Sequence, residues 1–143
     1  QALPANQALG RSRGGFSTKI HFLVNGIGNP LRAILTPGQA ADSPQIPTLF
    51  DPFSASFALL DKAYDTDAVL AFFENQGTIP VIPPKANRVV QRDYDRQLYK
   101  ERNLIERFIG KIKQFRRVFS RFDKYARSYL HFIHFASVFI WLR

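Results

Sequence analysis

One stretch of the sequence, residues 99–113, places the carboxylate of Glu106 near cations and a phenol at helical spacing. It has no proline and one glycine, and its apolar residues recur with the period of an amphipathic helix. At about 100° per residue, four polar side chains fall within a sector of roughly 60° beside that apolar stripe: Tyr99, Arg102, Glu106 and Lys113. This set suits a metal-ligating Glu with phosphate-binding neighbours. The periodicity alone leaves open an ordinary surface ion pair between Arg102 and Glu106 at i,i+4.

A second carboxylate, Asp61, follows a short apolar run. Residues 57–60 are predicted to form a buried strand that delivers Asp61 at its carboxyl end. Ligand groups in open α/β sheets gather at that edge. Asp65 or Asp67 is then predicted to cap a helix over residues 68–75, which Gly77 closes.

Further strands and short helices are predicted around these two sites. Alternation and branched residues indicate a strand over residues 18–24, a turn at Asn25-Gly26 and a second strand over residues 31–35, which together make a hairpin. Ser43, as an N-cap before Pro44, predicts a short helix to about Phe50. Residues 79–82 form the next predicted strand, and residues 83–88 a basic loop.

Two long helices are predicted at the carboxyl-terminal end. The helix that carries Glu106 is expected from about Asp95 to Phe119, and the last helix from about Asp123 to Leu142. Near the other end, residues 10–15 are predicted to form a flexible basic loop. That loop is either a simple turn or a phosphate-contacting segment.

Composition indicates a globular chain with a polyanionic partner. The 143 residues are 45% hydrophobic, include 14 Phe and no Cys, and carry a net charge of +9. Residues 85–143 hold fifteen Lys/Arg and five Asp/Glu, a net charge of +10, whereas residues 1–84 hold five and six. A basic carboxyl-terminal half favours DNA or RNA over an anionic membrane. The absence of Cys excludes disulfides and thiolate metal sites.

The spacing of Tyr99, Arg102, Glu106 and Lys113 resembles the signature around the last acidic residue of bacterial insertion-sequence DDE transposases. The surrounding sequence is similar to the insertion-sequence-five family in residues 102–108 and 115–117. Residues 61–65 and 10–15 are similar to this family as well. The resemblance runs from about Gly10 to Leu142, with four separate stretches in the family's order.

This resemblance implies a single α/β domain over residues 1–143, of the RNase H-like class and lacking its first strand. Asp61 and Glu106 would be the second and third members of the acidic triad and the ligands of two Mg²⁺ (or Mn²⁺) ions in the complete protein. The resemblance implies DNA cleavage and strand transfer, with transposon ends and target DNA as partners, oligomers on DNA and a cytoplasmic, nucleoid-associated location. The expected DNA contacts are Tyr99, Arg102, Lys113, Arg11, Arg13, Arg116 and Arg117.

The first carboxylate of that triad has no counterpart in residues 1–41, which contain no Asp and no Glu. We therefore expect the sequence to be the carboxyl-terminal part of a transposase or a second reading frame, inactive alone and completed by an upstream segment. A non-catalytic basic module that binds DNA or RNA is the alternative.

Overall fold

A computed structural model describes residues 7–143, which form two compact units of mixed α/β structure. One unit comprises the described residues up to Ala40 together with Leu104–Arg143, and the other comprises Ala41–Asn103. The α/β fold class is confirmed at this level, while the single-domain organisation of residues 1–143 stays a prediction. In chain order the strands and α-helices are β1 (Gly10–Ser12), β2 (Gly15–Val24), β3 (Pro30–Pro37), α1 (Ile46–Phe50), β4 (Phe57–Leu59), α2 (Asp67–Asn75), β5 (Ile79–Val81), α3 (Arg96–Tyr99), α4 (Asn103–Ile112), α5 (Arg116–Phe119) and α6 (Ala126–Trp141).

The first unit is built on an antiparallel sheet in the order β1-β2-β3. The predicted hairpin between β2 and β3 is confirmed, although both strands are longer than expected. Asn25 shapes the turn, because its Oδ1 accepts from the backbone N–H of Ile27 at 3.1 Å and of Asn29 at 2.9 Å. Gly28 supplies a φ of +83° that side-chain-bearing residues rarely adopt.

The prediction of a flexible loop over residues 10–15 is wrong. Ser12 pairs with Gly15, so only Arg13 and Gly14 remain in a two-residue turn between β1 and β2. Gly15 has a φ of +103°, and the Ser12 hydroxyl donates to the Gly15 carbonyl at 3.1 Å. The glycines therefore make a tight hairpin turn rather than a mobile segment.

Helices α4, α5 and α6 form the core of this unit with the sheet. A T-shaped contact joins Phe22 of β2 to Phe108 of α4, with ring centroids 5.0 Å apart. The Tyr129 hydroxyl donates to the Val118 carbonyl at 2.7 Å, which satisfies a buried phenol. Burying each large side chain stabilises the unit by about 2 kcal/mol. The buried cluster is Ala33, Phe108, Ile112, Val118, Tyr129, Ile133 and Ala136.

The predicted continuous helix over residues 95–119 is wrong after Ile112. Asp95 does cap the start, because its Oδ1 accepts from the Leu98 N–H at 2.8 Å, and a 3-10 turn over Lys100–Arg102 joins α3 to α4. Phe115, however, has an extended backbone with φ −77° and ψ 106°. This change of direction buries Val118, whereas Phe119, which the helical period assigns to the buried stripe, is 72% exposed.

The last helix also begins later than predicted, at Ala126 rather than Asp123. Arg121 explains the delay, because its Nε donates to the Asp123 carbonyl at 3.0 Å and its Nη2 to the Lys124 carbonyl at 3.3 Å. The same guanidinium donates through Nη1 to the Gln7 carbonyl at 2.8 Å and to Thr18 Oγ1 at 2.5 Å. These bonds keep the residues just before α6 outside the helix and connect them to Gln7 and to Thr18 of β2. Burial lowers the pKa of Arg121.

In the second unit, β4 and β5 are parallel neighbours joined through α2. The ladder extends one step further, since the Leu60 N–H donates to the Val81 carbonyl at 3.3 Å. Phe73 is fully buried and meets Phe50 edge to face, with centroids 4.8 Å apart. The core of this unit includes Ile46, Leu49, Phe50, Ala58, Leu60, Val69, Phe73, Val81 and Ile82.

Two predicted helix caps in this unit are wrong. Thr66 caps α2, because its Oγ1 accepts from the Val69 N–H at 3.3 Å, whereas Asp67 is the first residue of the helix. Residues Ser43–Gln45 form a 3-10 turn before α1, and the cap position belongs to Asp42, which makes no side-chain cap bond. Among the described helices, none combines the length and the apolar character that a membrane crossing needs.

Candidate functional site

Asp61 lies where the sequence predicts it, just beyond the carboxyl end of β4. Its backbone is extended, and its Oδ1 accepts from the Ala63 N–H at 2.8 Å at the start of a 3-10 turn over Lys62–Tyr64. One oxygen is therefore used locally to fix the side chain, while the residue itself stays partly exposed. Ligand groups in open α/β sheets gather at strand ends of this kind.

A half-buried phenol lies close enough to Asp61 to feel its charge. Burial raises the pKa of Tyr64 to about 12, and the carboxylates of Asp42 and Asp61 act in the same direction. Tyr64 therefore stays protonated at neutral pH as a neutral neighbour of the two carboxylates.

Asp65, four residues beyond Asp61, has a different environment, because its side chain is fully buried. It accepts from the Lys85 N–H at 2.7 Å, from Arg88 Nε at 2.9 and 3.0 Å, and from Arg92 Nη2 at 2.7 Å. Burial raises the pKa of the Asp65 carboxyl, but the Lys85 amide and the two guanidiniums outweigh it and hold this pKa below its usual value. Asp65 therefore anchors the segment that follows β5, and its oxygens are already used.

Tyr99 and Arg102, the first two residues of the signature, belong to the same unit as Asp61. The Arg102 guanidinium lies 5.8 Å from the centroid of the Tyr99 ring, and that ring meets Tyr94 edge to face at 5.6 Å. Stacking restricts the position of the guanidinium. The structure thus brings these two signature residues together.

Glu106 and Lys113, the other two, belong to the unit that contains Leu104–Arg143. Glu106 is exposed in the first turn of α4, where a carboxylate is favoured by the helix dipole. Lys113 is exposed directly after the last residue of α4, and its N–H donates to the Ile109 carbonyl at 3.1 Å. Both are exposed, whereas Phe108 and Ile112 of α4 are buried.

The four predicted DNA-contacting arginines outside the signature are all exposed residues of this unit. Arg11 and Arg13 lie on the β1–β2 hairpin. Arg117 is engaged within the unit, because its Nη2 contacts Asp123 Oδ1 at 2.7 Å and its guanidinium lies 4.8 Å from the Phe132 ring centroid. Arg116 lies 5.8 Å from the Phe122 ring centroid.

The chemistry of Asp61 and Glu106 suits a hard divalent cation such as Mg²⁺, which takes oxygen ligands. Across residues 7–143, however, no group of three or more His, Cys, Asp or Glu side chains could hold a metal ion. The described residues therefore do not fit a complete metal site, and two candidate ligands lie in different units.

Sequence reasoning missed the anchor formed by Asp65, Arg88 and Arg92, together with the position of Tyr64. The sequence gives little indication of this anchor, because the position of Asp65 predicts a helix cap and its partners lie 20 to 27 residues later. A buried carboxylate needs paired donors, and three basic residues within positions 85–92 were the available hint.

Comparisons with known proteins point to one family. The family model described as "Transposase DDE domain" matches residues 4–139. A curated relative from Brucella ovis, described as "Putative transposase for insertion sequence element IS6501", is 37% identical over 129 residues, which cover 89% of this chain and 99% of the relative. No solved structure matches the chain.

Proposed function

Since the chain belongs to the DDE transposases of insertion sequences, we propose that it takes part in DNA transposition through metal-dependent cleavage and strand transfer of the element's ends. The observation that carries this proposal is Asp61, an aspartate fixed at the end of a parallel strand in a chain of this family. The insertion-sequence-five family remains the proposed subgroup, on the four stretches of resemblance in residues 10–15, 61–65, 102–108 and 115–117.

Asp61 and Glu106 are the proposed metal-ligating and catalytic carboxylates. Bound Mg²⁺ or Mn²⁺, two ions in the complete protein, would supply charge stabilisation at the scissile phosphate. The protein's own residues would hold the carboxylates in place: the Ala63 N–H fixes Asp61, and the first turn of α4 carries Glu106.

A third carboxylate is proposed to come from outside this sequence. Residues 1–41 contain no Asp and no Glu, and the described residues offer no group of three ligands. An upstream segment, fused or separate, or a second chain would supply it. The proposed fold is accordingly an RNase H-like domain without its first strand, which is supported by an edge of β4 that no described strand pairs.

DNA is the proposed partner, bound by cations and a phenol on both units: Tyr99, Arg102, Lys113, Arg11, Arg13, Arg116 and Arg117. Support comes from exposure, since Lys113 and the four arginines outside the signature face solvent, where phosphate contacts are made. We further propose that the complete protein acts as an oligomer on transposon ends and target DNA, in the cytoplasm at the nucleoid.

A non-catalytic DNA- or RNA-binding module is the second candidate. One observation favours it, namely that residues 7–143 bring together no set of three metal ligands. Such a module needs only the basic surface and has no use for Asp61 or Glu106.

Cleavage and strand-transfer assays on the insertion sequence's own ends separate the two candidates. We expect residues 1–143 alone to be inactive with Mg²⁺ or Mn²⁺, and the addition of the upstream segment with its Asp to restore activity. In the restored protein, Asp61→Asn and Glu106→Gln should each abolish cleavage and leave DNA affinity unchanged. Glu101→Gln and Glu74→Gln, at exposed carboxylates outside the proposed site, are the matched controls. Full activity of the Glu106→Gln protein, or strand transfer by the chain alone, contradicts the proposal.

A further inference from the structure

Residues 116–125, here called the α5–α6 segment, expose three aromatic rings. Phe119 is 72% exposed, Phe122 is 62% exposed and Tyr125 is 48% exposed. Isolated exposed apolar residues are common on protein surfaces, whereas a concentration of them typically marks a binding site. Three rings at every third position of one short segment form such a concentration.

The residues on either side of Phe122 hold the segment in place. Arg121 donates through Nη1 to the Gln7 carbonyl at 2.8 Å, and the side chain of Asp123, which is only 11% exposed, contacts Arg117 Nη2 at 2.7 Å. Arg121 and Asp123 are therefore bound within the unit, while Phe122 between them is exposed. The ring is presented on a fixed backbone, so little ordering entropy remains to be lost on binding.

The charge around these rings favours a polyanion as the partner. Residues 107–143 hold nine Lys/Arg and one Asp/Glu, a net charge of +8. The one acidic residue is Asp123, whose charge is offset by its contact with Arg117. Across residues 7–143, no carboxylate forms an ion pair with Arg116 or Lys124, and both of these residues are exposed. Both cations are thus available to phosphates.

These two cations lie over exposed rings of the same segment. The Arg116 guanidinium is 5.8 Å from the centroid of the Phe122 ring, and Lys124 Nζ is 6.0 Å from the centroid of the Tyr125 ring. A guanidinium that lies over a ring keeps the N–H groups at its edge for a phosphate. Proteins that bind single-stranded nucleic acid combine cations for the backbone with aromatic rings on which bases stack. A duplex offers only base edges in its grooves, so exposed ring faces find stacking partners where the strand is unpaired.

We propose that the α5–α6 segment binds unpaired DNA, with bases stacked on Phe119 and Phe122 and phosphates in contact with Arg116 and Lys124. The proposal rests on the proposed function, since it takes DNA as the partner of the chain. A second copy of the chain is a poorer occupant of this surface. It would bring the same positive charge against itself, and like charges across an interface oppose association.

The test measures binding of the full chain to an unpaired DNA strand of about 16 nucleotides, to the duplex of the same sequence and to the matching RNA strand. The proteins are the wild type, Phe119→Leu/Phe122→Leu, which keeps apolar bulk without an aromatic face, and Phe119→Tyr/Phe122→Tyr, which keeps the rings. Phe57→Leu is the matched control, because Phe57 is a 47% exposed phenylalanine of β4, in the other unit. All the changes are at exposed positions, so folding is preserved, which thermal melting verifies.

We expect the leucine variant to lose affinity for the unpaired DNA strand by about tenfold, because base stacking is removed. Its affinity for the duplex and the slope of affinity against salt should be unchanged, since all the cations remain in place. The tyrosine variant and Phe57→Leu should bind both DNA probes as the wild type does. The RNA strand should bind no more tightly than the DNA strand.

Undiminished binding of the unpaired strand by the leucine variant, or an equal loss on strand and duplex, overturns the stacking proposal and leaves DNA binding by the chain intact. A tyrosine variant that binds no better than the leucine variant also overturns it. A change in sedimentation of the leucine variant, with DNA affinity unchanged, assigns the rings to contact between copies instead, and tighter binding of the RNA strand assigns them to RNA. Failure of the wild type to bind any probe contradicts the proposed function itself.

Discussion

The unit of residues 41–103 and the unit that flanks it in sequence differ sharply in charge. The flanking unit holds thirteen Lys/Arg and two Asp/Glu, a net charge of +11, whereas residues 41–103 hold seven and nine, a net charge of −2. The division into these two units separates the charges more completely than any single cut in the sequence. The reason is that the flanking unit includes basic residues from both ends of the sequence. We therefore expect the flanking unit to make most of the phosphate contacts, with Tyr99 and Arg102 as the DNA contacts proposed on residues 41–103.

The largest effect should come from variants that destabilise the hydrophobic core of one unit and leave the core of the other intact. Phe73→Ala in the unit of residues 41–103 removes a fully buried ring and should cost about 4 kcal/mol of unfolding free energy. Hydrogen exchange should show the loss of protection confined to residues 41–103. Ile133→Ala, at an equally buried site in the other unit, should give the reverse pattern. Loss of protection throughout the chain in either variant would show that the two units unfold together.

The next largest effect should come from Asp65→Asn. This variant should lose about 3 kcal/mol of unfolding free energy, because it removes one partner of a buried ion pair. The pKa of Asp65 is depressed in the folded state, so its contribution is present above the ordinary carboxyl pKa of about 3.9 and lost as pH falls through the folded value. The stability difference between wild type and variant should therefore shrink below about pH 4. Urea unfolding across pH measures it.

Asp67→Asn is the control for that variant. Asp67 contacts the same Arg88 but its side chain is 91% exposed, so little stability should be lost at any pH. If the unfolding free energy of Asp65→Asn falls with decreasing pH as steeply as that of the wild type, the pH dependence belongs to another group.

A smaller effect should appear in DNA binding. Lys113→Ala with Arg116→Ala, on the positive unit, should reduce the slope of log affinity against log salt by about 2, one for each phosphate that is no longer neutralised. Lys62→Ala with Lys100→Ala removes the same charge from the other unit at exposed positions and should leave the slope unchanged. Equal reductions by both pairs would show that the charge difference between units does not direct DNA binding.

The smallest effect should be Thr66→Ala, which removes the cap of α2 and should cost about 1 kcal/mol. Thr66→Ser keeps the hydroxyl and should retain most of the stability. DNA binding should not change in either variant, since the loss is local to residues 41–103. Thermal melts and salt titrations of the same two proteins check both statements.

Short-range patterns predicted much of the fold. The β2–β3 hairpin follows from alternation and an Asn25-Gly26 turn, and the strand before Asp61 follows from an apolar run. These features are local, so neighbouring residues decide them. The placement of Asp61 at a strand end was predictable for the same reason.

Other features were not predictable because distant residues decide them. At the helix break, Phe115 contacts Phe139 of α6, with ring centroids 6.1 Å apart, whereas the helical periodicity of the sequence continues across the break. Asp65 could be identified as an anchor only with Arg88 and Arg92 in place. The roles of Asp61 and Glu106 stay predictions.

The bonds from Arg121 to Gln7 and Thr18 bear on how the protein is synthesised. They tie the first strands of one unit to residues that leave the ribosome only after residues 41–103 have all been made. The nascent chain can therefore complete its acidic unit first, while the hairpin of β2 and β3 waits for α6 to cover it. Translation halted before Arg121 would release a chain with its carboxylate-bearing part folded and its positively charged part without a core.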